Sequence, residues 1–245
     1  MSPVQFDQKL DLEEGRTGIL DLRKQLAQRA TGHVLEVAVG TGRNLGLYDL
    51  EEGSVIRSFT GLDIAPDMLD VAAQKVSKAL PPTADSSPSV SVLRDSDDGV
   101  IGGAADFMDG RIRLVRGNAL NAFPGPPHSD DDEPHSYDTV IQTFGLCSVS
   151  DPERLVRNMV QAVTPGTGRV ILVEHGRGTW RLLNWWLDRN ATDHFQKYGC
   201  WWNRDIESVI RKAVADVPGV EIVKISRPPK QMKTVLWIEL GVMTT

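Results

Sequence analysis

Cysteine is nearly absent from the 245 residues: Cys147 and Cys200 are the only two. Their separation fits neither a zinc motif nor a disulfide framework, so the chain reads as a reducing, intracellular protein with two free thiols and no assigned metal. Long apolar runs are missing as well. The longest lie near residues 170–173 and 235–240 and are strand-sized, well short of the roughly 20 residues a membrane span needs. The first residues, Met-Ser-Pro-Val-Gln-Phe-Asp-Gln-Lys, have no basic region followed by an apolar core, which argues against a signal or transit peptide. Basic surplus is lacking too. The net charge is −6 and the isoelectric point about 5.4, and no basic stripe is visible to neutralise phosphates, so no nucleic-acid partner is expected. The densest charged run, residues 130–133, is acidic and reads as a solvated loop. No internal repeat appears.

What the sequence does contain is enough apolar residue, 40%, for the core of one α/β domain covering residues 1–245. Helix-like and strand-like stretches alternate. Residues 17–30 read as an amphipathic helix, 33–39 as a strand, 43–50 as the start of a helix and 59–64 as a second strand. Pro66 opens a helix over 67–80. Two irregular insertions follow, at 81–110 and 124–136, the first with hairpin-like arms at 90–93 and 100–101. Strands are expected at 111–115, 137–143 and 169–174, and Asp151 with Pro152 caps a helix reaching 163. A Trp-rich helical elaboration covers about 178–203, with one helical segment over 180–197. Another helix starts near Asn203, and two strands at 220–225 and 233–240 close the chain as a hairpin. This order predicts a Rossmann-like, seven-stranded, mostly parallel sheet with an antiparallel C-terminal hairpin and helices on both faces. Ligands of such sheets bind beyond the carboxyl ends of the strands.

Chemistry-bearing residues collect at those ends. Glu36-Val37-Ala38-Val39-Gly40-Thr41-Gly42 closes the first strand. Its glycines permit a tight turn and close backbone approach to a ligand. Arg43 and Asn44 would open a helix whose positive end favours an anion. Glu36 should lie opposite Val37 and Val39. An acid there needs a partner, either a ligand ammonium such as that of a methionine moiety or a buried Arg or Lys. Asp63, ending strand two, suits ribose hydroxyls or a helix cap. Ile64 and Met68 can flank an adenine ring, though Met68 fits the core equally. Asn118, followed by Ala119, is an adenine-edge donor or a turn residue. Gln142 and Thr143 face cofactor, and Phe144 and Cys147 face substrate, with Cys147 read mainly as a small packing residue. His175 fits a general base with a pKa near neutrality or a loop brace, and His194 is a second base candidate. Trp185, Trp201 and Trp202, with Arg177, fit an aromatic substrate pocket or the core.

With these motifs in chain order, the sequence resembles class I S-adenosylmethionine-dependent methyltransferases over nearly its whole length. Glu36 to Asn44, Thr143-Phe144-Gly145-Leu146-Cys147-Ser148-Val149, Val173-Glu174-His175-Gly176-Arg177 and Gly199-Cys200-Trp201-Trp202-Asn203-Arg204-Asp205 are similar to a fungal mitochondrial subgroup related to the yeast suppressor of oxidase-assembly mutants. More distantly they are similar to methyltransferase-like thiol methyltransferases and to ubiquinone/menaquinone C-methyltransferases. The resemblance implies S-adenosylmethionine held by Glu36, Gly40, Gly42, Asp63, Asn118 and the segment at Gln142, with S-adenosylhomocysteine as product. Two positions depart from the common pattern, Ala38 where Gly is usual and Asn118 where Asp is usual. The fungal subgroup carries a membrane anchor before its catalytic domain. None is seen in this sequence, which implies a truncated or a soluble form, mitochondrial by resemblance and otherwise cytoplasmic.

The expected chemistry is in-line methyl transfer, driven mainly by alignment of donor and acceptor, onto a small apolar or aromatic molecule. Two other functions stay open at this point. Gly40, Gly42 and Gly46 with Asp63 loosely fit a nucleotide-dependent oxidoreductase, and a non-catalytic mitochondrial assembly factor would keep the same fold.

Overall fold

The computed structural model describes residues 3–79, 89–91, 104–121, 123–127 and 136–244. Among them one sheet has nine strands: β1 (Gly32–Val37), β2 (Ile56–Asp63), β3 (Ser89–Ser91), β4 (Ala104–Phe107), β5 (Ile112–Arg116), β6 (Thr139–Thr143), β7 (Arg169–His175), β8 (Val220–Ser226) and β9 (Val235–Val242). Their spatial order is β3-β4-β5-β2-β1-β6-β7-β9-β8. The five central strands, β5-β2-β1-β6-β7, pair in parallel. β9 runs antiparallel to both β7 and β8, as the expected terminal hairpin requires. The sheet exceeds the expected seven strands because the first insertion adds β3 and β4 as an antiparallel extension of β5. Its second arm is Ala104–Phe107; residues 92, 93, 100 and 101 lie outside the described residues, as do 128–135 of the second insertion.

Seven helices accompany the sheet among the described residues: α1 (Pro3–Thr17), α2 (Ile19–Ala27), α3 (Pro66–Ala79), α4 (Pro152–Gln161), α5 (Arg181–Arg189), α6 (Ala191–Tyr198) and α7 (Ile206–Ala215). Leu22 and Leu26 of α2 and Ala72 and Val76 of α3 bury one sheet face. Leu155 and Met159 of α4 and Ile206 and Ile210 of α7 bury the other. Both faces of the parallel strands are thereby covered, so β1, β6 and β7 are buried over most of their length.

Four local expectations need correction. The helix expected over 17–30 begins at Ile19, because Gly18 turns left-handed (φ 80°) and separates it from α1. The stretch 43–50 forms only one 3₁₀ turn, Leu45–Leu47, since Tyr48 swings into extended backbone and sends its hydroxyl inward. No helix dipole therefore stands behind the glycine loop. The single helix expected over 180–197 divides at Asn190 into α5 and α6. Asp205, not Asn203, caps α7 by accepting from the Ser208 N–H.

Candidate functional site

The first parallel strand ends in a loop of three left-handed residues, Ala38 (φ 56°), Gly40 (φ 55°) and Gly42 (φ 73°). The left-handed turn at Ala38 interrupts strand alternation. Val37 joins the α4–α7 core, as expected, but Val39 packs on the α2–α3 side with Val34, not opposite Glu36. A side chain at Gly42 would collide with Leu45 Cδ1 at 2.3 Å, whereas one at Gly40 would meet nothing within 4 Å. Gly42 is thus required for packing, and Gly40 presents bare backbone to open space. Left-handed backbone costs a residue with Cβ about 1–2 kcal/mol, which explains why glycine suits position 38. An Ala38→Gly chain should gain roughly 0.5–1 kcal/mol once glycine's greater freedom in the unfolded chain is subtracted. A urea titration that finds a loss of stability would refute this.

Asp63 fastens the loop. Its carboxylate accepts from the Gly40 N–H at 2.8 Å and the Ala65 N–H at 2.9 Å, joining the ends of β1 and β2. Burial raises its pKa, and the backbone donors oppose that rise.

Behind the loop lies a buried polar chain that the motifs did not reveal. Glu36 accepts from Asn44 Nδ2 and from the Tyr48 hydroxyl, each at 2.8 Å. Arg23 Nη1 donates to Asn44 Oδ1 and Thr143 Oγ1, each at 2.9 Å, and its other nitrogens hold Glu14. Arg23 continues the Ile19, Leu22, Leu26 stripe of α2. A lone arginine on an apolar stripe was the available signal. α1 is tied to the same loop, because Asp7 accepts from Thr41 Oγ1, from Arg43 and from Lys75.

Burial pushes Glu36 up to about 7, against the lowering effects of Tyr48, Arg23 and Asn44. The folded state then holds a proton that the unfolded state releases near 4.5. Stability contributed by this group is present below about pH 4.5 and is lost as pH rises towards 7, by on the order of 3 kcal/mol at most. Glu36→Gln removes that slope. Urea titrations at about pH 5 and about pH 8 should show the variant gaining on the parent chain as pH rises. An unchanged difference would mean that the carboxyl is ionised throughout.

In front of the loop opens a cavity of about 1110 Å³. Pockets for one small ligand usually span about 300–1,000 Å³, so this one exceeds the usual range. Ala38, Gly40, Thr41, Asp63, Ile64 and Met68 line one end, joined by Asn118, Ala119, Gln142 and Thr143. Gln142 is fully buried, and neither its amide nitrogen nor its oxygen has a partner among the described residues. Such a group is costly unless a ligand completes it. Asn118 also performs the turn role, accepting from the Leu120 N–H at 3.0 Å.

Phe144, Cys147, His175, His194 and Trp202 line the other end, where Tyr198 and Cys200 also face the space. Leu10, Glu14 and Thr17 of α1 add a wall the sequence did not suggest. His194 stacks on Trp202 with ring centroids 3.8 Å apart. Burial, then the neighbouring His194, pushes His175 down to about 4, far from the near-neutral pKa expected of it. Burial, then Lys197, lowers His194 as well. Both rings are neutral near pH 7, and both can accept hydrogen bonds.

Six expected site residues are absent from the cavity lining. Glu36, Gly42 and Asn44 lie behind the loop, where they shape it. The Glu36 carboxyl group takes hydrogen bonds from Asn44 and Tyr48. Arg177 pairs with Asp188 and donates to the Asn203 carbonyl. Trp185 is 60% exposed, and Trp201 stacks on Phe195 at 4.3 Å. Of these three tryptophans only Trp202 lines the cavity, with its indole N–H on the Leu187 carbonyl at 3.0 Å.

Residues 12–213 match a family profile described as a methyltransferase domain. The chain is 31% identical over 212 residues to the mitochondrial methyltransferase OMS1 of Saccharomyces cerevisiae, a match covering 84% of this chain and 39% of the yeast protein. The chain thus spans about two fifths of that relative's length. Its fold is similar to magnesium protoporphyrin IX methyltransferase from Synechocystis with bound S-adenosylhomocysteine (TM-score 0.56, 16% identity, 98% and 88% of the two chains). It is also similar to the N-methyltransferase NodS of Bradyrhizobium japonicum in complex with S-adenosylhomocysteine (TM-score 0.52, 16% identity, 94% and 87%).

Proposed function

The chain belongs to the methyltransferase-domain family, and we propose that, acting as one domain, it moves the methyl group of S-adenosylmethionine to a small apolar or aromatic acceptor. The observation that carries this reading is a single cavity with bare Gly40 backbone and an unpartnered Gln142 amide at one end and an aromatic wall at the other. The cofactor supplies a methyl group already activated by the sulfonium charge. Gly40 lets backbone approach it, Asp63 and Gln142 offer acceptors and a donor, and Ile64 and Met68 offer apolar contact for a base. Phe144, Trp202 and Tyr198 orient the acceptor and exclude water, which is how alignment lowers the barrier. Yeast OMS1 is described as mitochondrial, and the same location is proposed for this chain.

A general base works best with a pKa near the operating pH. His175 is depressed too far, so His194, which is less buried, takes the proton of a hydroxyl or thiol acceptor and His175 orients that group. His194→Gln should lower turnover on such an acceptor by roughly 10²-fold or more, and His175→Gln by less, with KM moving more than kcat. The reverse ranking would exchange the two roles.

The direct assay incubates the chain with methyl-tritiated S-adenosylmethionine and a panel of phenols, aromatic thiols and phosphatidylethanolamine vesicles. Repeated turnover into a phenol or thiol supports the reading. Label found only in phosphatidylethanolamine would move the acceptor to a lipid amine. Cofactor binding without transfer to any acceptor would favour a non-catalytic assembly role.

A further inference from the structure

Far apart in sequence, Cys147 and Cys200 meet at the acceptor end of the cavity. Cys147 sits in the loop after β6, and Cys200 follows the left-handed Gly199 that ends α6. The Trp201 N–H donates to the Cys147 carbonyl at 3.0 Å, which stitches the two segments together. Cys147 Sγ donates to the Phe144 carbonyl and meets the Ser148 hydroxyl, each at 3.6 Å, and Cys200 stands across the backbone junction from it. Both line the cavity.

The surroundings make the two sulfurs unequal. Arg204 lies beside them, anchored by its hydrogen bonds to the Leu146 and Val149 carbonyls. Glu174, fully buried, accepts from the Gly145 and Leu146 N–H groups. Interaction with Cys200 holds the Cys147 thiol below its ordinary value against its burial, with help from Ser148 and Arg204. Cys200 is held up by that same interaction, by burial and by nearby Glu174. Two thiols brought to one cavity wall by a backbone hydrogen bond, one of them favoured as the thiolate, have the arrangement of a peroxide-sensitive pair, one cysteine attacking and the other resolving.

We propose that Cys147 and Cys200 form an oxidisable dithiol whose reactant is a small hydroperoxide entering the cavity. The Cys147 thiolate attacks one oxygen of hydrogen peroxide and the O–O bond breaks, giving a sulfenic acid and hydroxide, which takes up the proton Cys147 had released. The Cys200 sulfur then displaces the sulfenic oxygen and loses its own proton, and a second water leaves. In total two thiols lose two electrons and two protons to one peroxide, and two waters form. The resulting disulfide would fasten the α6–α7 connection to the β6–α4 loop, two walls of the same cavity end. This inference stands apart from the methyl-transfer reading, and its test measures no methyl transfer.

The full chain is treated with hydrogen peroxide, denatured and labelled with maleimide. Both thiols should disappear together, peptide mapping should find one Cys147–Cys200 cross-link, and dithiothreitol should restore both. In Cys200→Ser, Cys147 should stop at the sulfenic acid and be captured by dimedone. In Cys147→Ser, Cys200 should stay reduced; if that variant does not fold, the cross-link and the Cys200→Ser result decide alone. Two thiols that persist at peroxide concentrations that oxidise free cysteine would overturn the proposal. So would over-oxidation of Cys147 beside a free Cys200.

Discussion

A Gly40→Leu protein is expected to fold and yet bind S-adenosylhomocysteine at least about a hundredfold more weakly, a loss of roughly 2.7 kcal/mol. The position permits the test because a Cβ there meets no atom within 4 Å, so the new side chain does not disrupt the core. It enters the cavity where the loop backbone is exposed. The left-handed φ of 55° adds about 1–2 kcal/mol of strain, visible as a modest fall in melting temperature. Gly42→Leu behaves differently. Its side chain drives into Leu45 and approaches Ala72, so stability and binding fall together. Calorimetry paired with thermal melts separates the two outcomes. Unchanged affinity in Gly40→Leu would remove the cofactor from this end of the cavity.

Replacing Arg23 should cause the largest loss of stability. The residue is 4% exposed, and its nitrogens reach Glu14, Asn44 and Thr143. Arg23→Met keeps much of the apolar stem and removes every donor. Glu14, 5% exposed, is left with Arg43 as its remaining cation, and Asn44 Oδ1 loses its donor. Breaking a buried pair from one side costs about 3–5 kcal/mol. The surviving Arg43 contact puts the expectation near 3, or a melting temperature roughly 6–12 °C lower for a chain of this size. Cofactor affinity should fall too, since Thr143 and the glycine loop lose a common support. A change within about 1 kcal/mol would mean that the network adds nothing net to the fold.

Apolar periodicity made the central strands readable. β1, β6 and β7 are buried on both faces and show as short apolar runs, and Asp151 with Pro152 marked the start of α4 through local cap chemistry alone. α1 was not legible. It is held by Asp7 and Glu14 reaching polar partners, and hydrophobic period carries no trace of such contacts. The missing helix after the glycine loop has a similar cause. The bond from Tyr48 to Glu36 draws the chain out of helical geometry, and no local propensity encodes a partner twelve residues back.

The site was legible in part for the same reason. Gly40, Asp63, Asn118 and Gln142 stand at strand ends, where topology alone brings them to one edge. Trp185 and Trp202 differ only in the side of the chain they occupy. That depends on how α5 and α6 dock, and composition is silent about docking. Cys147 and Cys200 read as two separate thiols because only the β6–α4 loop and the α6–α7 connection bring them to one cavity wall. Burial, which sets the pKa of His175, likewise belongs to the packed chain.

The nature of the ligand at the Gly40 end of the cavity decides between methyl transfer and nucleotide-dependent redox chemistry. Titration calorimetry of the chain with S-adenosylhomocysteine, run beside NAD under the same conditions, addresses it directly. One S-adenosylhomocysteine per chain with no measurable heat from NAD is the expected result. Saturable binding of NAD, or no binding of S-adenosylhomocysteine by the folded chain, would contradict it.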